Sequence, residues 1–170
     1  MVWIDPLDGT KEFVKGNLQA VTVLIGLSIN GYSRFGVVHN PFDSTDPLKG
    51  VTHFGSGEHG TFQMTYDHKT STHSQPSYLR PFEQTALDDN HQITVAASLN
   101  HFNRTTSDVL KSIEPMKIVR LGGAGNKCAN VVQGNVDSYI HASQGLKYWD
   151  MCAPESIVKG MGGFCTDFKQ

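Results

Sequence analysis

The sequence predicts a mixed α/β domain of the α+β kind, on three observations. The first half sets apolar runs between tight-turn signals, the pattern of antiparallel hairpins. The second half alternates short apolar runs with helical stretches, the pattern of strand–helix units. Apolar residues make up 38% of 170 residues, which suffices for one core and is one domain's worth of chain, or a piece of one.

Val2 to Ile4 reads as a short strand, ended at Asp5-Pro6 because a residue before proline is pushed toward extended geometry. Gly9 permits a tight turn, and Thr10 to Val14 opens a helix. Ala20 to Ile29, rich in Val, Leu and Ile, reads as a buried strand. Asn30-Gly31 is a strong hairpin signal, with Arg34 to His39 as the return strand. Phe54 to Met64 reads as another strand pair, turning at Ser56-Gly57-Glu58-His59-Gly60. Residues 67–90 are polar, carry Pro76 and Pro81 and lack a period, so they are expected to form a surface loop or insertion. Gln92 to Ala97 is strand-like, and Arg104 to Ile113 is a helix with Val109, Leu110 and Ile113 on one face. Lys117 to Leu121 is a strand, Asn126 to Gln133 a helix and Val136 to His141 a strand. Asp150 can cap a helix running to Met161 and ended by Gly162-Gly163, after which Phe164 to Phe168 begins a last strand.

The net charge of −2 leaves no footprint for a nucleic acid polymer and no basic patch for a membrane, and no apolar run reaches transmembrane length. Cys128, Cys152 and Cys165 are odd in number and lack a CxxC spacing, which argues against a disulfide framework or a zinc site and for a reducing, cytoplasmic setting. Met1 opens almost directly into an apolar strand, so the chain is expected to be a partial domain, 1–170 being the later portion of a larger fold.

Asp5 and Asp8 lie three apart across a bend fixed by proline and glycine, so both carboxylates can enter one pocket, with the Leu7 carbonyl between them as a further oxygen. Adjacent carboxylates repel unless a cation neutralises them, and a hard divalent ion takes oxygen donors of this kind. The bland alternative is a capped turn with Asp8 as N-cap. Thr10 can position a water or simply bond its own turn. Asp150 is an N-cap or a third ligand standing at a helix N-terminus suited to phosphate. Gly122-Gly123-Ala124-Gly125-Asn126-Lys127 can cradle a phosphate with its amides, with Lys127 as counter-charge, or can be a plain tight turn. His53, His59, His68, His73 and His91 read as loop residues without a role. Cys152 reads as a small packing residue.

The string Trp3-Ile4-Asp5-Pro6-Leu7-Asp8-Gly9-Thr10-Lys11-Glu12-Phe13 resembles the first signature of the inositol monophosphatase superfamily. Trp149-Asp150-Met151-Cys152-Ala153-Pro154-Glu155, running to Gly162-Gly163, resembles the second. Gly122 to Lys127 and Cys152 to Glu155 are closer to the 3′(2′),5′-bisphosphate nucleotidase branch. The resemblance implies the C-terminal part of a layered αβαβα sugar-phosphatase fold. It also implies Mg²⁺-dependent, Li⁺-sensitive removal of the 3′-phosphate of adenosine 3′,5′-bisphosphate. By position, Asp5, Leu7 (carbonyl), Asp8 and Asp150 match metal ligands, and Thr10 matches the residue that helps activate water, with Asp5 and Asp8 completing the catalytic group. Thr10, Ser98, His101, Gly123, Lys127, Ser143 and Asp150 match contacts to the nucleotide or its phosphate.

Two departures stand out. Family members carry an arginine in the stretch that here reads Ser98-Leu99-Asn100-His101, and an upstream portion supplying a glutamate ligand and an aspartate partner for the threonine is not in this chain. The expectation is a full-length enzyme and a 170-residue chain of weak or no activity. The implied partner is a small molecule, adenosine 3′,5′-bisphosphate or an inositol phosphate. The alternatives are an inositol phosphate phosphatase and a truncated fragment that binds metal or nucleotide without turnover. The sequence does not fix an oligomeric state.

Overall fold

The computed structural model describes residues 1–42, 46–82 and 93–167. In chain order, β1 is Val2–Asp8, α1 Thr10–Val14, β2 Thr22–Ile29, β3 Tyr32–Asn40, β4 Lys49–Ser56 and β5 Gly60–Asp67. Then follow β6 Thr72–His73, β7 Ser77–Leu79, β8 Thr94–Ser98, α2 Arg104–Ile113, β9 Lys117–Leu121, α3 Ala124–Val132, β10 Ser138–Ile140 and α4 Tyr148–Gly160.

The first seven strands form one antiparallel sheet in the order β1-β2-β3-β4-β5-β6, with β7 also on β5. The β2–β3 hairpin turns where predicted, with both Asn30 (φ 54°) and Gly31 (φ 83°) in the left-handed region that a tight two-residue turn demands. Strand alternation sends Leu24 and Val38 to one face, where they pack with Ile157, Val158 and Met161 of α4 and Cys128, Ala129 and Val132 of α3. Three parallel strands, β10-β8-β9, make a second sheet. Tyr139 packs toward the α3–α4 core, whereas Ile140, Val95 and Ala97 pack against Leu110 of α2. The layers therefore run sheet, helices, sheet, helix.

Helix α4 seats directly on strand backbone. Gly26 and Gly36 are cross-strand partners. A Cβ at Gly26 would stand 2.7 Å from the Ala153 nitrogen, and one at Gly36 would collide with the Ala153 carbonyl. Only glycine at both positions lets the helix approach so closely, which fixes the height at which α4 presents its first turn. Pro154, inside α4 and fully buried, supplies no N–H for the Asp150 carbonyl one turn back.

Several expectations are corrected. β1 does not stop at Asp5-Pro6 but runs to Asp8, absorbing the proline in an irregularity of register between Asp5 and Asp8. Within the stretch read as a loop, residues 72–73 and 77–79 pair with β5, because β5 leaves a free edge; residues 83–90 lie outside the described residues. Of the predicted α2 face, Leu110 is buried while Ile113 is 42% exposed. Residues 163–167 form no strand, and Phe168 lies outside the described residues. His53 is no loop residue: it is a buried member of β4, bonded to Gln63 on the neighbouring strand. His91 lies outside the described residues. Cys152 is buried, as a packing residue should be. Among the described residues no helix is long and apolar enough to cross a membrane.

Candidate active site

The bend at the end of β1 places Asp5 and Asp8 differently. Asp5 is half-buried and its Oδ1 accepts the Leu7 N–H at 3.0 Å, closing the turn around Pro6. Asp8 is 7% exposed and heavily engaged. Its Oδ1 accepts the Ala124 N–H (3.1 Å), and its Oδ2 accepts the Gly125 N–H (2.8 Å) and the Thr22 hydroxyl (2.7 Å). Asp8 thus caps α3 across 116 residues of chain rather than capping α1, whose N-cap is Gly9. The glycine-rich turn is correspondingly not an open phosphate cradle at these amides, because the carboxylate takes them. Gly123 (φ 68°) and Gly125 permit the contact: a Cβ on either would crowd Asp8 Oδ2, at 3.0 and 3.2 Å.

Asp150 arrives from the far end of the chain. It is the third residue of α4, not its N-cap; the N-cap is Lys147, whose N–H donates to Asp150 Oδ2 at 2.6 Å. Trp3 stacks near Tyr148 (5.5 Å between centroids) and Trp149 (6.5 Å), tying the start of α4 to β1. The result is a cluster in which one carboxylate oxygen each from Asp5, Asp8 and Asp150 lie within 4.8 Å of one another. Burial, then the charge of Asp8, raises the proton affinity of Asp5 against the pull of the Leu7 N–H. Burial, then the charges of Asp8 and Asp5, does the same to Asp150 against the pull of the Lys147 N–H. Such a set is short of positive charge and fits a hard divalent cation.

The cluster opens on a cavity of about 210 Å³ bounded by Asp8, Thr10, Ser98, His101, Gly123, Lys127 and Asp150 among others. Of the residues expected at the site, these seven meet there and Asp5 joins through the cluster. Leu7 and Ser143 are not on its wall. The Leu7 carbonyl accepts the Thr10 hydroxyl at 2.9 Å, so that proton goes to the backbone and not to an acid. Ser143 stands one hydrogen bond behind the wall, on the His101 carbonyl (3.1 Å). Lys127 is buried at 3% exposure; its ammonium donates to the Gly123 carbonyl and lies 4.9 Å from the Tyr139 ring centroid. Burial lowers its proton affinity, countered first by the charge of Asp8.

Two groups escape sequence reasoning. Glu12, 1% exposed, sits beneath Gly122, whose absent Cβ would overlap its side chain. Its oxygens accept from Asn100 (2.8 Å), Asn17 (2.8 Å) and Lys15 (3.1 Å). The amides of Asn100 and Asn17 outweigh burial and hold its carboxyl down to about 2. Asn100 thus lines the cavity and holds Glu12 beneath it. Glu12 lies in the short helix after Gly9, and it is the tertiary approach of Asn100 and Gly122 that buries the acid. The second group is Tyr139 and His141, which line the cavity with His101. Their two-residue spacing at the end of the predicted strand Val136 to His141 was the available signal.

The chain belongs to the inositol monophosphatase family, whose sequence profile matches residues 1–170. It is 35% identical over 171 residues to 3′(2′),5′-bisphosphate nucleotidase 1 of Mus musculus, covering 98% of this chain and 49% of that protein. It is 31% identical over 199 residues to inositol polyphosphate 1-phosphatase of Homo sapiens, covering 99% of this chain and 47% of that protein. Among solved structures it superposes on the Thermotoga maritima IMPase with a TM-score of 0.72 and 26% identity, covering 99% of this chain and 57% of that one. Mycobacterium tuberculosis SuhB shares the fold at a TM-score of 0.69 and 22% identity, over 95% of this chain and 60% of that one. The chain spans about half the length of the curated relatives it matches.

Proposed function

We propose that this chain carries the catalytic half of a Mg²⁺-dependent phosphomonoesterase that removes the 3′-phosphate of adenosine 3′,5′-bisphosphate, giving AMP and phosphate. The observation that carries the reading is the convergence of Asp5, Asp8 and Asp150 at the mouth of a cavity holding a buried lysine. The identity to bisphosphate nucleotidases favours the nucleotide as substrate.

Asp5, Asp8, Asp150 and the Leu7 carbonyl are the donors that would hold the cation. Bound there, Mg²⁺ would supply Lewis-acid polarisation of the phosphoryl group and acidify water. The chain's own residues supply orientation and charge. Thr10, whose hydroxyl donates its hydrogen bond to the Leu7 carbonyl, presents oxygen lone pairs that accept a hydrogen bond from the attacking water and orient it. Lys127 faces the phosphoryl oxygens and stabilises their negative charge. Ser98, His101, Gly123 and Ser143 wall or back the remainder of the nucleotide site, and Asp150 joins the cluster to that wall. The water oxygen bonds to phosphorus and releases one proton as the bond to the ribose 3′-oxygen breaks, and that oxygen takes up one proton from solvent, so that AMP and phosphate result with no net proton left over.

A second reading, an inositol phosphate phosphatase, is favoured by the 31% identity to inositol polyphosphate 1-phosphatase. A third, a binding fragment without turnover, is favoured by the half-length coverage. The test is phosphate release by the 170-residue protein from adenosine 3′,5′-bisphosphate and from inositol phosphates, with and without Mg²⁺ and Li⁺. Mg²⁺-dependent, Li⁺-sensitive release from the nucleotide alone supports the proposal. Release from inositol phosphates alone moves it to the second reading. Folded, inactive protein that binds Mg²⁺ moves it to the third.

A further inference from the structure

A line of hydrogen bonds runs through residues on and just behind the cavity wall. The Tyr139 hydroxyl meets His141 Nδ1 at 3.0 Å. His141 Nε2 meets Ser143 Oγ at 3.1 Å, and Ser143 Oγ donates to the His101 carbonyl at 3.1 Å. The His101 N–H in turn donates to Ser98 Oγ at 3.0 Å. The direction of every proton follows. Ser143 has one proton and spends it on a carbonyl, which has none to give, so Ser143 must accept from His141 Nε2–H. A neutral imidazole protonated at Nε2 has a bare Nδ1, which accepts from Tyr139. Burial keeps the Tyr139 phenol protonated and so a donor.

We infer that His141 is a positioning residue for the proposed reaction. As a neutral, Nε2-protonated imidazole it couples Tyr139 to Ser143 and thereby fixes the backbone of His101, whose ring faces the cavity. His101 is then clamped on both sides, through its N–H by Ser98 and through its carbonyl by Ser143. Tyr139 anchors the other end, because its ring packs toward the α3–α4 core and lies under the Lys127 ammonium. The groups facing His141 favour the neutral ring: burial first, then the Lys127 charge, then His101, which stands 6.4 Å away between ring centroids, with Ser143 opposing them. The two ends of the relay, Tyr139 on β10 and His101 in the segment after β8, lie on separate elements, and none of its hydrogen bonds is made to Asp5, Asp8 or Asp150.

This inference rests on the proposed function for its kinetic consequence but not for its chemistry, and the test separates the two. Long-range ¹H–¹⁵N spectra of the 170-residue protein at pH 7.5 report the tautomer of His141 directly. The expected result is Nε2–H in the parent protein and a mixture of tautomers in Tyr139→Phe, where Nδ1 loses its donor. An Nδ1–H or a charged ring in the parent overturns the inference, whatever the enzyme does. In phosphate release from adenosine 3′,5′-bisphosphate, His141→Phe is expected to raise KM about tenfold with kcat nearly unchanged. His141→Gln, which restores a donor toward Ser143, is expected to recover part of that loss. Equal KM in all three proteins also overturns it. Absence of turnover in the parent counts against the proposed function and leaves the tautomer result to decide this one.

Discussion

The Thr22 hydroxyl donates a 2.7 Å hydrogen bond to Asp8 Oδ2, and neither residue has appreciable contact with solvent. Thr22 begins β2 and Asp8 ends β1, and they face each other in register across the two strands. The carboxylate is therefore oriented by a hydroxyl on one side and by the first amides of α3 on the other, before any ligand arrives.

That arrangement makes Thr22→Val a clean probe. Valine fills the same volume but leaves Asp8 Oδ2 with one donor fewer in a buried place. A loss of about 1–3 kcal/mol in unfolding free energy is expected from urea titration. Thr22→Ser, which keeps the hydroxyl, should lose less. Equal stability of Thr22→Val and the parent would show that the hydroxyl does not anchor the carboxylate.

The carboxylate cluster predicts effects of opposite sign with and without cation. Asp5 and Asp150 bind protons more tightly than usual, so their ionised forms oppose folding near neutral pH. Asp5→Asn and Asp150→Asn should therefore melt at or above the parent's temperature in the presence of a chelator. Saturating Mg²⁺ should raise the parent's stability, by about 2.7 kcal/mol at a hundredfold excess over Kd. It should raise neither variant's comparably. Parallel Mg²⁺ responses in all three proteins would remove these residues from the ligand set.

Glu12 predicts the acid limb of stability. Its carboxyl is held down to about 2 from an ordinary 4.5, so the folded state binds fewer protons than the unfolded chain between those values. The stabilisation is complete above about 4.5 and disappears as pH falls toward about 2. Melting temperature should drop across that window, and Glu12→Gln should melt lower at pH 7 with a shallower drop. A parent and variant with parallel profiles would assign the acid limb to other groups.

Local chemistry made much of this molecule readable. The Asn30-Gly31 turn, the strand within the apolar run from Ala20 to Ile29 (though Ile25, Leu27 and Ile29 face outward), and helix α2 starting at Arg104 follow from turn geometry and local apolar patterning, which act over a few residues. The same rules misplaced the end of β1, because pairing with β2 holds the strand extended past Pro6. They also missed β6 and β7, whose polar residues have no period of their own and become strands only by bonding to the edge of β5.

By itself, the sequence singled out the candidate side chains that meet at one cavity: Asp5, Asp8 and Asp150 in their motifs, Thr10 beside them, and Lys127 after its glycines. Tertiary structure alone decided what each one touches. It gave Asp8 the amides of α3, put Asp150 at the third position of α4 and not its cap, buried Glu12 under Gly122, and linked Tyr139, His141 and Ser143 to His101. The physical reason is range. Turn and helix preferences act between near neighbours in the chain, whereas hydrogen-bond partners of buried groups are set by whichever element packs closest, and here Gly26 and Gly36 determine how close α4 comes.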